Sequence, residues 1–217
     1  MPGRCAVRVH FVHGWAFDSS IWQALAALLP GVAPSFADRG YFGGAGDAAP
    51  QEPAVWITHS LGTMLALEDN LEHCQGLVAI AGFDCFCAGE GAAGVAPRVL
   101  DRMLSRFEIA PQQVVTDFRR QCGCDAPTGP IEPEMLRADL AMLRNMDCRP
   151  KAVALSVPVL SLHGADDQIL PAAMREQTLL GVPDIRHLQH PTAGHLLPAE
   201  QPDWCAARIT AFLGELC

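Results

Sequence analysis

Short apolar runs that alternate with helical patterns restrict the fold of this chain more than any other feature. The runs lie at residues 6–12, 54–57, 77–81, 157–162 and 185–188, and they are typical of buried parallel strands. Parallel strands need crossover connections, which helices supply on the faces of the sheet. The alternation therefore predicts an α/β fold with a mostly parallel sheet and helices on both faces, in which ligands bind at the carboxyl ends of the strands.

Three helices are predicted around these strands. The first follows Asp18 and Ser19, which can cap its start, the second begins directly after Ser60, and the third lies near the end of the chain. Their apolar residues recur at helical spacing: Ile21, Trp22, Leu25, Leu28 and Leu29, then Leu61, Met64, Leu65 and Leu67, then Trp204, Ile209, Phe212, Leu213 and Leu216. The Gly- and Pro-rich residues 40–53 are expected to form a loop.

Residues 82–150 interrupt the alternation. They carry helical patterns but no convincing strand, with glycines clustered at residues 88–94. We therefore predict a helical cap at 82–150, inserted into a core that residues 1–81 and 151–217 form together. A chain of 217 residues suits one such domain with an insertion.

The charge and the cysteines exclude several classes of protein. A formal charge of -9 repels phosphates, so we expect no nucleic-acid and no membrane partner. The apolar run before His13 is too short for a signal peptide or a membrane span, which predicts a cytoplasmic protein. Nine cysteines are an odd number, and the pairs Cys85/Cys87 and Cys122/Cys124 lack zinc-ligand spacing. We expect reduced thiols and no metal.

The pentapeptide Thr58-His59-Ser60-Leu61-Gly62 lies between a predicted strand and a predicted helix. In this setting a sharp turn lifts a serine hydroxyl above the sheet, and the start of the helix directs N–H groups at a developing oxyanion. The alternative is that Ser60 only caps the helix. An acid and a histidine further along the chain favour the interpretation of Ser60 as a nucleophile.

An acid and a histidine follow in the order that a serine nucleophile needs. Asp166 and Asp167 come just after the strand predicted at 157–162, and His195 follows the strand predicted at 185–188. A neutral imidazole can take the serine proton, and a carboxylate fixes its tautomer. His195 could instead be a surface histidine, and spacing alone does not separate Asp166 from Asp167. Near the N-terminus, the backbone N–H of Trp15 could join that of Leu61 in an oxyanion hole, although a tryptophan is more often a core or pocket residue.

With these motifs in place, the chain resembles the α/β-hydrolase superfamily. The resemblance runs from His13-Gly14-Trp15 through residues 58–62 and the segment HGADDQILP at 163–171 to Ala193-Gly194-His195. It implies that Asp167 is the acid of a catalytic triad with Ser60 and His195. The chain departs from the family at Thr58, where the family usually has Gly and where a β-branched side chain could impair the turn.

More narrowly, the segment HGWAFDSSIW at 13–22 is similar to pimeloyl-carrier-protein methyl ester esterases of biotin synthesis. This resemblance implies a cap that receives an acyl carrier protein. Residues 95–150 carry eight Arg and eight Asp or Glu and are neutral, whereas the rest of the chain holds the net charge. Arg98, Arg102 and Arg106 would form one stripe on a helix and, with Trp15, are the predicted contacts to the substrate or carrier. The alternative is a solvated helix face with Asp101 and Glu108 nearby.

We therefore expect a monomeric serine carboxylic ester hydrolase without a cofactor. Its expected substrate is a small-molecule or carrier-linked acyl ester. Two other functions remain open on the same residues. One is a hydrolase-fold ligand-binding or sensing protein with little turnover, and the other is a thioesterase or C–C bond hydrolase.

Overall fold

One six-stranded sheet forms the centre of the computed structural model, which describes residues 7–69, 71, 73–89 and 91–216. The strands are β1 (Val7–Val12), β2 (Val32–Ala37), β3 (Ala54–His59), β4 (Cys74–Ile80), β5 (Val159–Gly164) and β6 (Ile185–His190). Their order is β2-β1-β3-β4-β5-β6, and each strand is parallel to its neighbours. The five predicted strands are confirmed with small shifts at their ends, and Ala6 lies outside the described residues.

The strand β2 is absent from the sequence prediction. Its sequence, VAPSFA, contains Pro34, which cannot donate to a neighbouring strand, and most of its residues are partly or fully exposed. Both features are typical of an edge strand, and β2 pairs only with β1. Apolar periodicity detects buried strands, so it misses this one.

The helices connect and cover the strands. A 3-10 turn at Ser19–Trp22 is capped by the side chain of Asp18, as predicted. The helices are α1 (Gln23–Ala27), α2 (Leu61–Glu68), α3 (Pro97–Phe107), α4 (Pro111–Gln121), α5 (Pro133–Asn145), α6 (Arg149–Val153), α7 (Ala172–Gln177), α8 (Leu197–Glu200) and α9 (Pro202–Glu215). The first predicted helix ends at Ala27 instead of Leu29, because Pro30 and Gly31 follow and Gly31 adopts a φ of 75°.

The helices pack in two groups about the sheet, whose faces they cover. Helices α1, α8 and α9 contact one another, whereas α2 contacts α6, β1 and β3. Gly76 in β4 lets α9 approach closely, since a Cβ there would lie 2.8 Å from Leu216 Cδ1. Among the described residues, no helix is both long enough and apolar enough to cross a bilayer.

Between β4 and β5 the described chain forms helices α3 to α6 and no strand. Each of these helices has a proline in its first turn, where the missing N–H costs no hydrogen bond. The two ends of the segment meet at an antiparallel bridge between Cys85 and Asp147. Helix α6 lies across the predicted cap boundary at residue 150.

The strand order changes direction beside β1. The chain passes from β1 to β2 on one side and then to β3 on the other side. The loops after β1 and β3 therefore diverge and leave a crevice at the carboxyl ends of these strands. In open α/β sheets this is the usual place for a ligand.

Candidate active site

Ser60 lies at a sharp bend between β3 and α2. Its backbone has φ 53° and ψ -124°, a conformation that costs a residue other than glycine about 1–3 kcal/mol. Two backbone hydrogen bonds hold it, from Ser60 N to Ile80 O at 3.1 Å and from Thr63 N to Ser60 O at 3.0 Å. The side chain of Ser60 makes no capping hydrogen bond to α2. Ser60 thus occupies the N-cap position of α2, but its side chain does not cap the helix.

Two glycines allow the turn after β1 to approach this bend. A Cβ at Gly62 would lie 2.3 Å from Val12 O, so only a glycine lets the first turn of α2 pass the end of β1. A Cβ at Gly14 would lie 2.8 Å from Ser60 Cβ. The turn that contains Gly14 thus lies directly against the serine.

Thr58 fits into the bend without distorting it. Its side chain is fully buried, and its hydroxyl donates to Val78 O at 3.2 Å and accepts from the Thr63 hydroxyl at 2.7 Å. Gly82 provides room for Thr63, because a Cβ there would lie 2.2 Å from Thr63 Oγ1. A threonine at position 58 is therefore compatible with the bend.

The structure brings Ser60, His195 and Asp167 together. His195 Nε2 lies 3.1 Å from Ser60 Oγ, and His195 Nδ1 lies 2.8 Å from Asp167 Oδ2. The side chains of His195 and Asp167 are fully buried, so His195 is not a surface histidine. With Nδ1–H donating to the carboxylate, Nε2 is free to accept the serine proton.

The structure separates the two adjacent acids. Asp166 is exposed, whereas the second carboxylate oxygen of Asp167 accepts the N–H groups of Ile169 at 2.7 Å and Leu170 at 2.9 Å. Burial alone would raise the pKa of Asp167, but His195 and these two N–H groups outweigh it and hold that pKa below its usual value. The carboxylate beside His195 is therefore ionised near neutral pH.

Leu61 follows Ser60 directly, and Trp15 follows Gly14, whose turn lies against Ser60. Leu61 is the first residue of α2, where N–H groups have no intrahelical acceptor, and neither its backbone N–H nor that of Trp15 donates to another described residue. His13 fixes the turn before Trp15, because its Nδ1–H donates to Gly14 O at 2.9 Å and its Nε2 accepts from Arg39 N at 3.0 Å. Both N–H groups are thus available to a developing oxyanion.

His59 is part of this site, although the sequence analysis gave it no role. Its side chain is fully buried, and its Nε2 lies 3.0 Å from the backbone carbonyl of His195. Burial lowers the pKa of His59 to about 3, so the ring is neutral at physiological pH. Its place inside the pentapeptide 58–62, directly before Ser60, was the only signal in the sequence.

A cavity of about 350 Å³ lies between the helices that follow β4 and the loops after β1, β4 and β5. Trp15 and Phe118 are on its wall, and the Phe118 ring centroid lies 6.5 Å from that of His195. The other lining residues are mostly apolar: Phe86, Gly94, Val95, Ala96, Val99, Leu100, Met103, Gln121, Leu143, Gln168, Ile169 and Pro171. Among the described residues, no ionisable side chain lines this cavity, so it suits an uncharged, mainly apolar ligand.

The predicted arginine stripe lies on α3. Arg98, Arg102 and Arg106 are exposed, and Arg106 pairs with Asp117 at 2.9 Å. The described residues offer no ion pair to Arg98 or Arg102. Asp101 and Glu108, which the alternative interpretation placed near the stripe, instead pair with arginines of α5: Arg144 and Arg137.

The helices α4 and α5 are fastened to the loops after β1 and β2. Asp139 of α5 is fully buried and accepts from Arg39 at 2.6 and 2.8 Å and from the Tyr41 hydroxyl at 2.5 Å. On the same helix, the carbonyl of Leu136 accepts from Trp15 Nε1 at 2.8 Å. The contact between helix and loop is therefore polar and buried.

Helix α4 makes a second connection to the turn after β1. Arg119 NH1 donates to Ala16 O at 2.9 Å, and the guanidinium lies 5.3 Å from the Phe17 ring centroid. Ala16 has a φ of 62°, so this turn is strained next to Trp15. Arg119 thus supports the backbone that carries the Trp15 N–H.

Comparisons with known proteins agree with this architecture. No protein-family model matches the chain. Pimeloyl-(acyl-carrier protein) methyl ester esterases from Pectobacterium carotovorum and Serratia marcescens are 28% and 26% identical to it, each over 93% of this chain and 92% of the relative. A solved esterase from Exiguobacterium antarcticum has a TM-score of 0.78 at 15% identity, over 96% of this chain and 92% of that chain. A bromoperoxidase from Bacillus anthracis has a TM-score of 0.80 at 13% identity, with the same coverage.

The structural neighbours establish the fold, and the curated relatives are named esterases over nearly the whole chain. The chain therefore has the α/β-hydrolase fold and is an ester hydrolase similar in sequence to the pimeloyl-(acyl-carrier protein) methyl ester esterases.

Proposed function

We propose that the protein hydrolyses carboxylic esters through an acyl-enzyme on Ser60, with His195 as the base and Asp167 as the residue that orients it. The observation that carries this proposal is the continuous hydrogen-bond chain of 3.1 Å and 2.8 Å from Ser60 Oγ through His195 to Asp167. Distances of this size suit proton transfer between nucleophile and base.

The reaction runs in two halves. Ser60 Oγ attacks the ester carbonyl as its proton passes to His195 Nε2, and the carbonyl electrons form an oxyanion that the N–H groups of Trp15 and Leu61 stabilise. The oxyanion collapses, the C–O bond to the leaving group breaks, and His195 protonates the departing alcohol. Water then attacks the acyl-enzyme in the same way and releases the acid and the free serine.

The substrate that we propose is a pimeloyl-(acyl-carrier protein) methyl ester, hydrolysed to the free acid and methanol. Similarity to the curated esterases supports it, as does the apolar cavity, whose described lining residues include no cation that would favour a free carboxylate over a neutral ester. Residues 82–150 act as the cap. Arg98 and Arg102 are the proposed contacts for the acidic carrier protein, since both are exposed and neither forms an ion pair with a described residue.

The test uses purified protein with a short aryl ester and with the carrier-linked methyl ester. We expect the wild type to hydrolyse both, and Ser60→Ala to lose turnover of both and labelling by a fluorophosphonate. The double variant Arg98→Glu/Arg102→Glu should raise KM for the carrier-linked ester and leave KM for the aryl ester unchanged. Arg208→Glu on α9 is the charge control and should leave both KM values unchanged. Turnover by Ser60→Ala refutes the mechanism, and ligand binding without turnover by the wild type identifies a binding protein.

A further inference from the structure

We propose that His59 is a positioning residue, whose Nε2–H holds the backbone of His195 and so keeps the base in line with Ser60. This inference rests on the proposed function, because it gives His195 the role of base. It concerns a residue that is not among those lining the cavity and is not part of the hydrogen-bond chain from Ser60 to Asp167.

The hydrogen bond between His59 and His195 defines the protonation of His59. A carbonyl oxygen only accepts, so His59 Nε2, 3.0 Å from His195 O, must carry the hydrogen. The other nitrogen, Nδ1, is buried and has no partner among the described residues. With a pKa lowered to about 3 by burial, the ring remains a neutral Nε2–H donor across the pH range in which an esterase works.

This bond closes a ring of contacts around the nucleophile and the base. Ser60 follows His59 directly in the chain, and Ser60 Oγ bonds the side chain of His195 while His59 bonds its backbone. The two adjacent residues therefore hold His195 at both ends. The loop that carries His195 is also held by a hydrogen bond from Gly194 N to the exposed carboxylate of Glu200 at 2.7 Å. That contact is open to water and therefore weaker than the buried hydrogen bond from His59.

Aromatic rings fix the direction in which His59 points. Its centroid lies 5.5 Å from that of Phe17, 6.4 Å from that of Trp22 and 5.0 Å from that of His195, and the rings of Phe17 and Trp22 are nearly perpendicular to it. A side chain packed in this way has little freedom to turn, so Nε2 remains directed at the carbonyl.

Packing alone does not account for a histidine here. An apolar side chain would fill the same space without burying an unpaired nitrogen, which costs about 1–3 kcal/mol. His59 instead leaves Nδ1 buried and unpaired among the described residues and makes one hydrogen bond with Nε2. The bond to the base is what distinguishes histidine from an apolar residue of similar size.

The experiment compares His59→Gln with His59→Met. Both side chains are unbranched and of similar length, but only glutamine can place a donor where Nε2 lies. We measure kcat and KM on an aryl ester and the rate at which a fluorophosphonate labels Ser60. We expect the Met variant to lose about tenfold in kcat and in labelling rate with KM within about twofold, and the Gln variant to retain most of both rates.

Equal rates in the two variants overturn the positioning role, as does a Met variant with wild-type rates. Should the Met variant not fold, nitrogen-15 NMR of the wild-type histidines decides, because a His59 ring protonated at Nδ1 instead of Nε2 also overturns it. The proposed function fails separately: a wild type that neither hydrolyses esters nor is labelled at Ser60 refutes the triad, whatever the tautomer of His59.

Discussion

The buried carboxylate of Asp139 links α5 to the loop after β2, and Asp139→Asn tests this link. The carboxylate accepts two hydrogen bonds from Arg39 and one from Tyr41, with donor-acceptor distances of 2.5 to 2.8 Å. Asparagine has nearly the same shape but only one acceptor oxygen. Whichever way the amide turns, its NH₂ group faces at least one donor, so a hydrogen bond is replaced by a contact between two donors.

The size of the loss follows from these contacts. Removing one partner of a buried ion pair costs about 3–5 kcal/mol, and a hydrogen bond to a charged group contributes about 1.5–3 kcal/mol. Asp139 is fully buried, but the Arg39 side chain is 32% exposed, so water solvates part of the guanidinium after the change. We therefore expect the free energy of unfolding to fall by about 3 kcal/mol. For a chain of this length that lowers Tm by about 6–12 °C.

Urea denaturation and thermal scans measure this loss, with Tyr41→Phe as the control. The control removes one donor and leaves Arg39 paired with Asp139, so it should cost about 1.5 kcal/mol, the lower end of the range for a hydrogen bond to a charged group. Because α5 also holds the Trp15 side chain, Asp139→Asn should raise KM for esters that fill the cavity. A loss in Asp139→Asn no larger than that in Tyr41→Phe would refute the reasoning.

Two further predictions concern the first turn of α2 and the strand β5. Gly62→Ala should abolish ester hydrolysis or soluble expression, because the added Cβ would lie 2.3 Å from Val12 O. The control is Gly214→Ala, which should retain activity because no atom lies within 4 Å of the added Cβ. Equal activity of the two variants would contradict the close approach at Gly62. Burial lowers the pKa of His163 from 6.5 to about 4, so between these values the unfolded chain binds a proton that the folded chain does not. The folded protein therefore loses about 3 kcal/mol of stability from this group as the pH falls from 6.5 to about 4. In His163→Gln the urea concentration at the unfolding midpoint should depend less steeply on pH across that range. An unchanged pH dependence of the midpoint would count against the prediction.

The sequence predicted the positions of those candidate site residues that follow the ends of buried strands. Ser60 and His195 follow buried strands, and parallel strands bring their carboxyl ends to one edge of the sheet, so two distant motifs could be placed together. Asp166 and Asp167 could not be separated in this way, because adjacent residues follow the same strand. What separates them is the turn in which Asp167 accepts the N–H groups of Ile169 and Leu170, and that turn is visible only in three dimensions.

The residues that the sequence analysis missed act through long-range contacts. His59 bonds a carbonyl 136 residues later, and Tyr41 bonds Asp139 across 98 residues. Periodicity reports which face of an element is buried, not which buried polar groups meet. A histidine and an aspartate in otherwise apolar surroundings are therefore recognisable as buried only after the fold has given each its partner.

The turn after β1 connects helices α4 and α5, part of the proposed cap, to the proposed reacting centre. Gly14 lies against Ser60, the side chain of Trp15 donates a hydrogen bond to α5, and the carbonyl of Ala16 accepts one from α4. A shift of the cap therefore moves the same backbone that is proposed to hold the oxyanion. Binding energy from a substrate that engages the proposed cap through Arg98, Arg102 or the cavity wall would thus be available to the transition state. This connection gives a physical reason why an ester linked to a large carrier should react faster than the same ester without it.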